Sequence, residues 1–194
     1  MKKLLYLGLT VIIILAAAYY FWTEIYVFTP HEAMARSNIG CAEILHGAEV
    51  EDGVLIFYRD PNESSNICVN YEKRGLTGWK HIRGGGAAVK EDTQDLSWCW
   101  FVLESENRKG NTDLTLAVLF GEIDNPDIAT IKVKANIDTK NIKIQKPLIE
   151  KTAQIIDCEK TRLWYVITDK DMSTAMKVYA YSASGQLLFT GNDW

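Results

Sequence analysis

Three histidines, His31, His46 and His81, and four cysteines, Cys41, Cys68, Cys99 and Cys158, are the side chains here best suited to hold a metal, carry a proton or form a covalent bond. Their spacing directs them to none of these. No histidine stands at ligand spacing from another histidine or from a cysteine. His31-Glu32 is followed by Ala33-Met34-Ala35, so the H-E-x-x-H pattern that places two imidazoles on one helical face is missing. There is no C-x-x-C, which removes the sequence basis for a thioredoxin-like redox pair or a zinc knuckle. Neither G-x-S-x-G nor S-x-x-K occurs, so no serine comes with the partner that would activate it.

The carboxylates group at Glu49, Glu51 and Asp52 and again at Asp169 and Asp171, both in turn-like stretches where a solvated acidic loop is the default reading. Asp169-Lys170-Asp171-Met172-Ser173 does not match a calcium loop. Gly84-Gly85-Gly86 lacks the Lys-Ser/Thr and the following helix of a phosphate loop, and reads as a bulge or bend in a strand. Asn62-Glu63-Ser64 is a glycosylation sequon, relevant only to a eukaryotic secretory route. No catalytic, cofactor-binding or metal-binding residue is assigned, and no cofactor is expected. A catalytic alternative is an acid/base pair assembled in space, for instance Glu49 or Asp52 near His81.

Lys2-Lys3 followed by an uncharged run from Leu4 to Trp22 sets the context for all of these residues. A helix of about 19 residues is about 28 Å long, which matches the hydrocarbon core of a bilayer. The basic flank predicts a cytoplasmic N-terminus and an extracytoplasmic C-terminal part in a single-pass cell-membrane protein. Tyr19, Tyr20, Phe21, Trp22, Tyr26 and Phe28 make an aromatic collar where the chain would leave the lipid. A cleaved signal peptide, cut after Ala18 in Ala16-Ala17-Ala18, is the competing reading. Cleavage there would leave an exposed Tyr-Tyr-Phe-Trp terminus, so a retained anchor over residues 1–28 is favoured.

Beyond the anchor about 170 residues carry a net charge of about −6, which gives no electrostatic reason to bind nucleic acid. All four cysteines fall on the exported side, where disulfides are permitted; four cysteines allow three pairings, and buried thiols are the alternative.

Thr29-Pro30-His31-Glu32 predicts a capped helix that ends near Asn38-Ile39-Gly40. Strands follow at 42–50 and 54–59 around a Glu51-Asp52-Gly53 hairpin turn, at 66–72 and at 79–83. In 66–72, Ile67, Val69 and Tyr71 alternate with Cys68, Asn70 and Glu72, which predicts one buried and one solvated face. Residues 29–95 thus read as a small helix-plus-antiparallel-sheet unit. Residues 96–194 read as a β-sandwich-like unit, with strands at 97–103, 114–120, 128–134, 142–145, 163–168, 177–181 and 186–190 and a tight Ser184-Gly185 turn. The fold class is α+β with an N-terminal transmembrane helix.

Val54-Leu55-Ile56-Phe57-Tyr58, Gly78-Trp79-Lys80, Phe120-Gly121-Glu122-Ile123 with Pro126-Asp127-Ile128, Leu163-Trp164-Tyr165-Val166-Ile167, and Tyr179-Ala180-Tyr181 with Gly185-Gln186-Leu187-Leu188 carry a family resemblance. With these residues the chain resembles a loose group of membrane-anchored envelope proteins of spore-forming Gram-positive bacteria. The resemblance implies an exported location and an α+β plus β-sandwich build, and transfers no catalytic residues. The functional expectation is a non-enzymatic binding, sensing or accessory module. Its expected partners are the lipid bilayer, through residues 4–22, and an envelope protein. An envelope hydrolase and a cleaved secreted protein are the alternatives.

Overall fold

Strands whose apolar residues run without alternation must be covered on both faces, and this chain holds three such runs, Leu55–Tyr58, Ala117–Phe120 and Leu163–Val166, all buried. The computed structural model describes residues 2–22, 26–37, 39, 42–60, 62, 66–88, 95–106, 112–136, 148–169 and 176–192. Among the described residues two helices, α1 (Lys2–Tyr20) and α2 (Pro30–Arg36), precede twelve strands. The strands are β1 (Glu43–Val50), β2 (Gly53–Arg59), β3 (Ile67–Gly75), β4 (Gly78–Ala88), β5 (Cys99–Glu106) and β6 (Thr112–Ile123). They continue with β7 (Ile128–Asn136), β8 (Leu148–Thr152), β9 (Gln154–Asp157), β10 (Arg162–Asp169), β11 (Met176–Ser182) and β12 (Leu187–Asn192). They form three four-stranded antiparallel sheets, β1-β2-β3-β4, β5-β6-β10-β9 and β12-β11-β7-β8.

The middle sheet is covered on both sides. Val118 and Phe120 of β6 and Leu163 and Tyr165 of β10 pack with Leu55, Phe57, Val69 and Tyr71 of the first sheet. Their neighbours Leu119, Trp164 and Val166 point the other way and pack with Ile131, Val133, Val178 and Ala180 of the third sheet. Successive strand residues face opposite sides, so a strand between two sheets needs an apolar residue at every position. Helix α2 covers the outer face of the first sheet, where Met34 packs on Ile56, Tyr58 and Cys68. One core therefore joins residues on both sides of the expected 95/96 division.

The capping signal forms α2 as expected: Thr29 Oγ1 accepts from the Glu32 N–H at 3.1 Å, and Glu32 reaches back to accept from the Phe28 N–H at 3.0 Å. The helix stops at Arg36 with Ser37 as its C-cap; the expected stop at Asn38 and Gly40 lies outside the described residues. Glu51-Asp52 turns the β1–β2 hairpin, with Val50 opposite Gly53. The glycine triplet is a bulged stretch of β4: Asn70 pairs with Gly84, Val69 with Gly85 and Ile67 with Ala88.

One strand departs from its expected burial. Cys68, Asn70 and Glu72 are buried like Ile67, Val69 and Tyr71, because α2 packs over the face that alternation assigned to solvent. Strands β8 and β9 were not legible as strands, being short and polar, and β8 and β9 are edge strands of their sheets. The expected strand at 142–145 lies outside the described residues.

In α1 the described side chains are exposed on every side, with Tyr6, Leu9, Ile12, Ile13, Leu15 and Tyr19 all more than half exposed. Among the described residues no helix is long and apolar enough to cross a membrane.

Candidate functional site

The placement of β3 and β4 builds a polar site under α2. Glu72 pairs with His81 in the register of the two strands, and both side chains lie on the α2 side of the sheet. His81 Nδ1 is 2.9 Å from Glu72 Oε1. The glutamate is fully buried, and the imidazole is 25% exposed. Burial pushes the Glu72 carboxyl above its ordinary value, and the hydrogen bond and charge of His81 pull it partly back. Behind the pair sits Asn70, also fully buried. Among the described residues, neither the Asn70 amide atoms nor Glu72 Oε2 has a hydrogen-bond partner. A buried polar atom without a partner costs about 1–3 kcal/mol, so this cluster is the least satisfied polar group among the described residues. Gly84 makes room for this arrangement, since a Cβ there would lie 1.7 Å from Asn70 Oδ1.

In front of the pair, His81 lines an open cleft of about 330 Å³ between α2 and β4. Val27, Ala33 and Trp79 give it apolar walls, and Arg36 and His81 place a cationic and an imidazole group beside them, with Lys80 at the rim. Val27 belongs to the wall because it forms a parallel bridge with Gly78: its N–H donates to Thr77 O at 3.1 Å, and its carbonyl accepts from the Trp79 N–H at 2.9 Å. Gly78 has φ +90, and a Cβ there would stand 1.9 Å from Val27 O, so a glycine is required. Arg36 is held by Glu32 at 2.6 Å.

In the tautomer whose Nδ1–H donates to Glu72, the imidazole is oriented and keeps Nε2 as an acceptor, the arrangement of a positioned base or of a receptor for a proton-bearing ligand. The hydroxyl in the cleft wall is not poised for attack: Ser37 Oγ donates to Met34 O at 2.6 Å. Among the described residues no hydroxyl is hydrogen-bonded to the His81 imidazole.

Glu49 and Asp52, named with His81 as an example of a spatially assembled acid/base pair under the alternative reading, are not beside it: the carboxylate on His81 is Glu72. Asp52 instead accepts from Tyr71 Oη and pairs with Lys73, while Glu49 is exposed on β1. His31 is exposed in α2, and His46 stacks on Tyr165 at 5.6 Å, where burial lowers its pKa. Sequence reasoning missed Glu72 and Asn70 because strand alternation put them on a solvated face. The available signal was the capped helix a few dozen residues upstream, which needs a surface to cover.

No disulfide joins Cys68, Cys99 and Cys158 to one another, and Cys41 lies outside the described residues. Burial pushes the Cys99 and Cys158 thiols up, which makes them poor nucleophiles. No group of three or more His, Cys, Asp or Glu able to hold a metal occurs among the described residues. A second buried polar cluster ties the sheets together: Glu122 accepts from Arg59 at 2.9 Å and from Thr161, and its own N–H donates to Ser97 Oγ at 3.0 Å. Every one of those groups is satisfied by a neighbour, so it serves as a lock and offers nothing to a ligand.

No protein-family model matches the chain, and no curated protein or solved structure matches it.

Proposed function

We propose that this protein is a single-pass, membrane-tethered module whose extracytoplasmic domain binds a small polar or anionic envelope ligand in the α2–β4 cleft. The observation that carries the reading is the direct linkage of two features. An apolar helix exposed on every side, which calls for an apolar surrounding, runs into the segment whose Val27 forms one wall of the cleft. In this reading residues 4–22 lie in the bilayer, Lys2 and Lys3 stay in the cytoplasm, and the ligand site sits close to the outer membrane surface. The middle and third sheets are read as a β-sandwich, with the first sheet and α2 as the ligand-binding layer above it.

The cleft chemistry favours binding over turnover. Arg36 and His81 suit a carboxylate or phosphate, and Trp79 and Ala33 suit the apolar body attached to it. The test is nuclear magnetic resonance of ¹⁵N-histidine-labelled full-length protein in lipid nanodiscs, titrated with carboxylates, phosphates and fractions of envelope extract. The expected result is a saturable shift of the His81 resonances with His46 unmoved. Titrations that leave His81 in place, or move all three histidines alike, would contradict the reading.

Hydrolysis by the His81–Glu72 pair is the second reading, favoured by one observation, the buried carboxylate behind a cleft-facing imidazole. It requires a water or substrate hydroxyl as nucleophile. Loss of an envelope-hydrolysing activity in His81→Gln would select it over simple binding.

A further inference from the structure

We infer that the β3–β4 hairpin is a second membrane contact, seated in the headgroup layer of an anionic bilayer beside the point where the chain leaves it; this rests on the tethered reading above. The hairpin turns at Leu76-Thr77, and Leu76 is 102% exposed, a large apolar side chain with nothing over it. Around it the stretch 73–80 carries Lys73, Arg74 and Lys80 and no acidic residue, in a chain of net charge −4. Lys73 is shared with Asp52, so the exposed Arg74 and Lys80 supply the attraction. The next aromatic along the strand is Trp79, half-buried, whose ring favours a boundary between lipid and water.

Covalent geometry limits where this hairpin can be. Gly78 is bridged to Val27, and Val27 is five residues from Trp22 at the end of the apolar run. Five residues span at most about 17 Å. The link is shorter than that, because the Tyr26 N–H returns to Phe21 O at 2.9 Å and the Trp22 ring packs on Tyr26 at 5.5 Å and on Phe28 at 5.2 Å. With Trp22 at the bilayer surface, a hairpin bridged to Val27 lies within headgroup reach. A single leucine is far too small a patch for a protein interface, whereas one apolar side chain among bases suits an anionic lipid surface.

The test places a photoreactive benzoylphenylalanine at Leu76, at Ile13 in α1, or at Leu187 in the third sheet, in the full chain reconstituted into vesicles of phosphatidylcholine with or without phosphatidylglycerol. The expected result is lipid adducts at Ile13 in both vesicles and none at Leu187. Adducts at Leu76 should fall several-fold when phosphatidylglycerol is omitted, or when Arg74→Glu and Lys80→Glu are combined. Adducts at Ile13 with Leu76 no better than Leu187, or Leu76 adducts indifferent to lipid charge, would overturn the hairpin contact alone. Absence of adducts at Ile13 would overturn the tethered reading and this contact with it.

Discussion

Glu72 carries the most unusual chemistry in the molecule, a fully buried carboxyl with one oxygen on His81 and the other without a partner among the described residues. Because burial raises its pKa, the folded chain keeps this proton to higher pH than the unfolded chain does. Stability therefore falls as pH rises from the ordinary carboxylate value toward the raised folded value, and is level beyond it. Glu72→Gln keeps the shape and cannot ionise. Urea denaturation across that range should show the slope flattened in Glu72→Gln, with stability at neutral pH equal to or up to about 1 kcal/mol above the parent. A retained slope would place the titration elsewhere. None of this was legible from residue 72 alone, since a glutamate alternating with Val69 and Tyr71 reads as solvent-facing until the helix above it is placed.

Elements with local chemical signatures were legible in outline: the capping box gave α2, Asp52-Gly53 the first hairpin, and Ser184-Gly185 the last one, where the Gly185 N–H donates to Ser182 O at 3.0 Å. What escaped was decided by neighbours far away in sequence. β8 and β9 are strands because the residues that they pair with on β7 and β10 require partners, and neither has an apolar period of its own. The bridge between Val27 and Gly78 was equally hidden, since it joins a loop to a hairpin across 50 residues and depends on one positive φ. It is also the most vulnerable joint. Gly78→Ala should break it, because the new Cβ would stand 1.9 Å from Val27 O. Chymotrypsin should then cut at Tyr26 and Phe28 much faster than in the parent; unchanged cutting would mean that the bridge does not hold the segment.

The whole molecule is a stack of α2 and three sheets, and its order was not readable because β6 pairs with β10 across a separation set by no local signal. The runs at 54–58, 116–120 and 163–167 are apolar at every position, the pattern of strands between layers, but in sequence they read only as strands. The Arg59–Glu122 pair crosses from the first sheet to the middle one with side chains 14% and 4% exposed. Glu122→Ala leaves Arg59 without its main counter-charge and should cost about 3–5 kcal/mol, read as a lower midpoint of a single unfolding transition. Two separated transitions in the parent would show that the sheets do not fold as one body. The proposed tether would hold the domain outside the bilayer by α1, with its cleft and hairpin close to the lipid. The direct measurement is proteolysis of right-side-out membrane vesicles carrying the full chain, with and without an alkaline wash. The account predicts that external protease removes everything from about Pro30 onward and leaves an N-terminal fragment that the wash does not extract. Complete protection of the domain, or release of the intact chain by the wash, would contradict it.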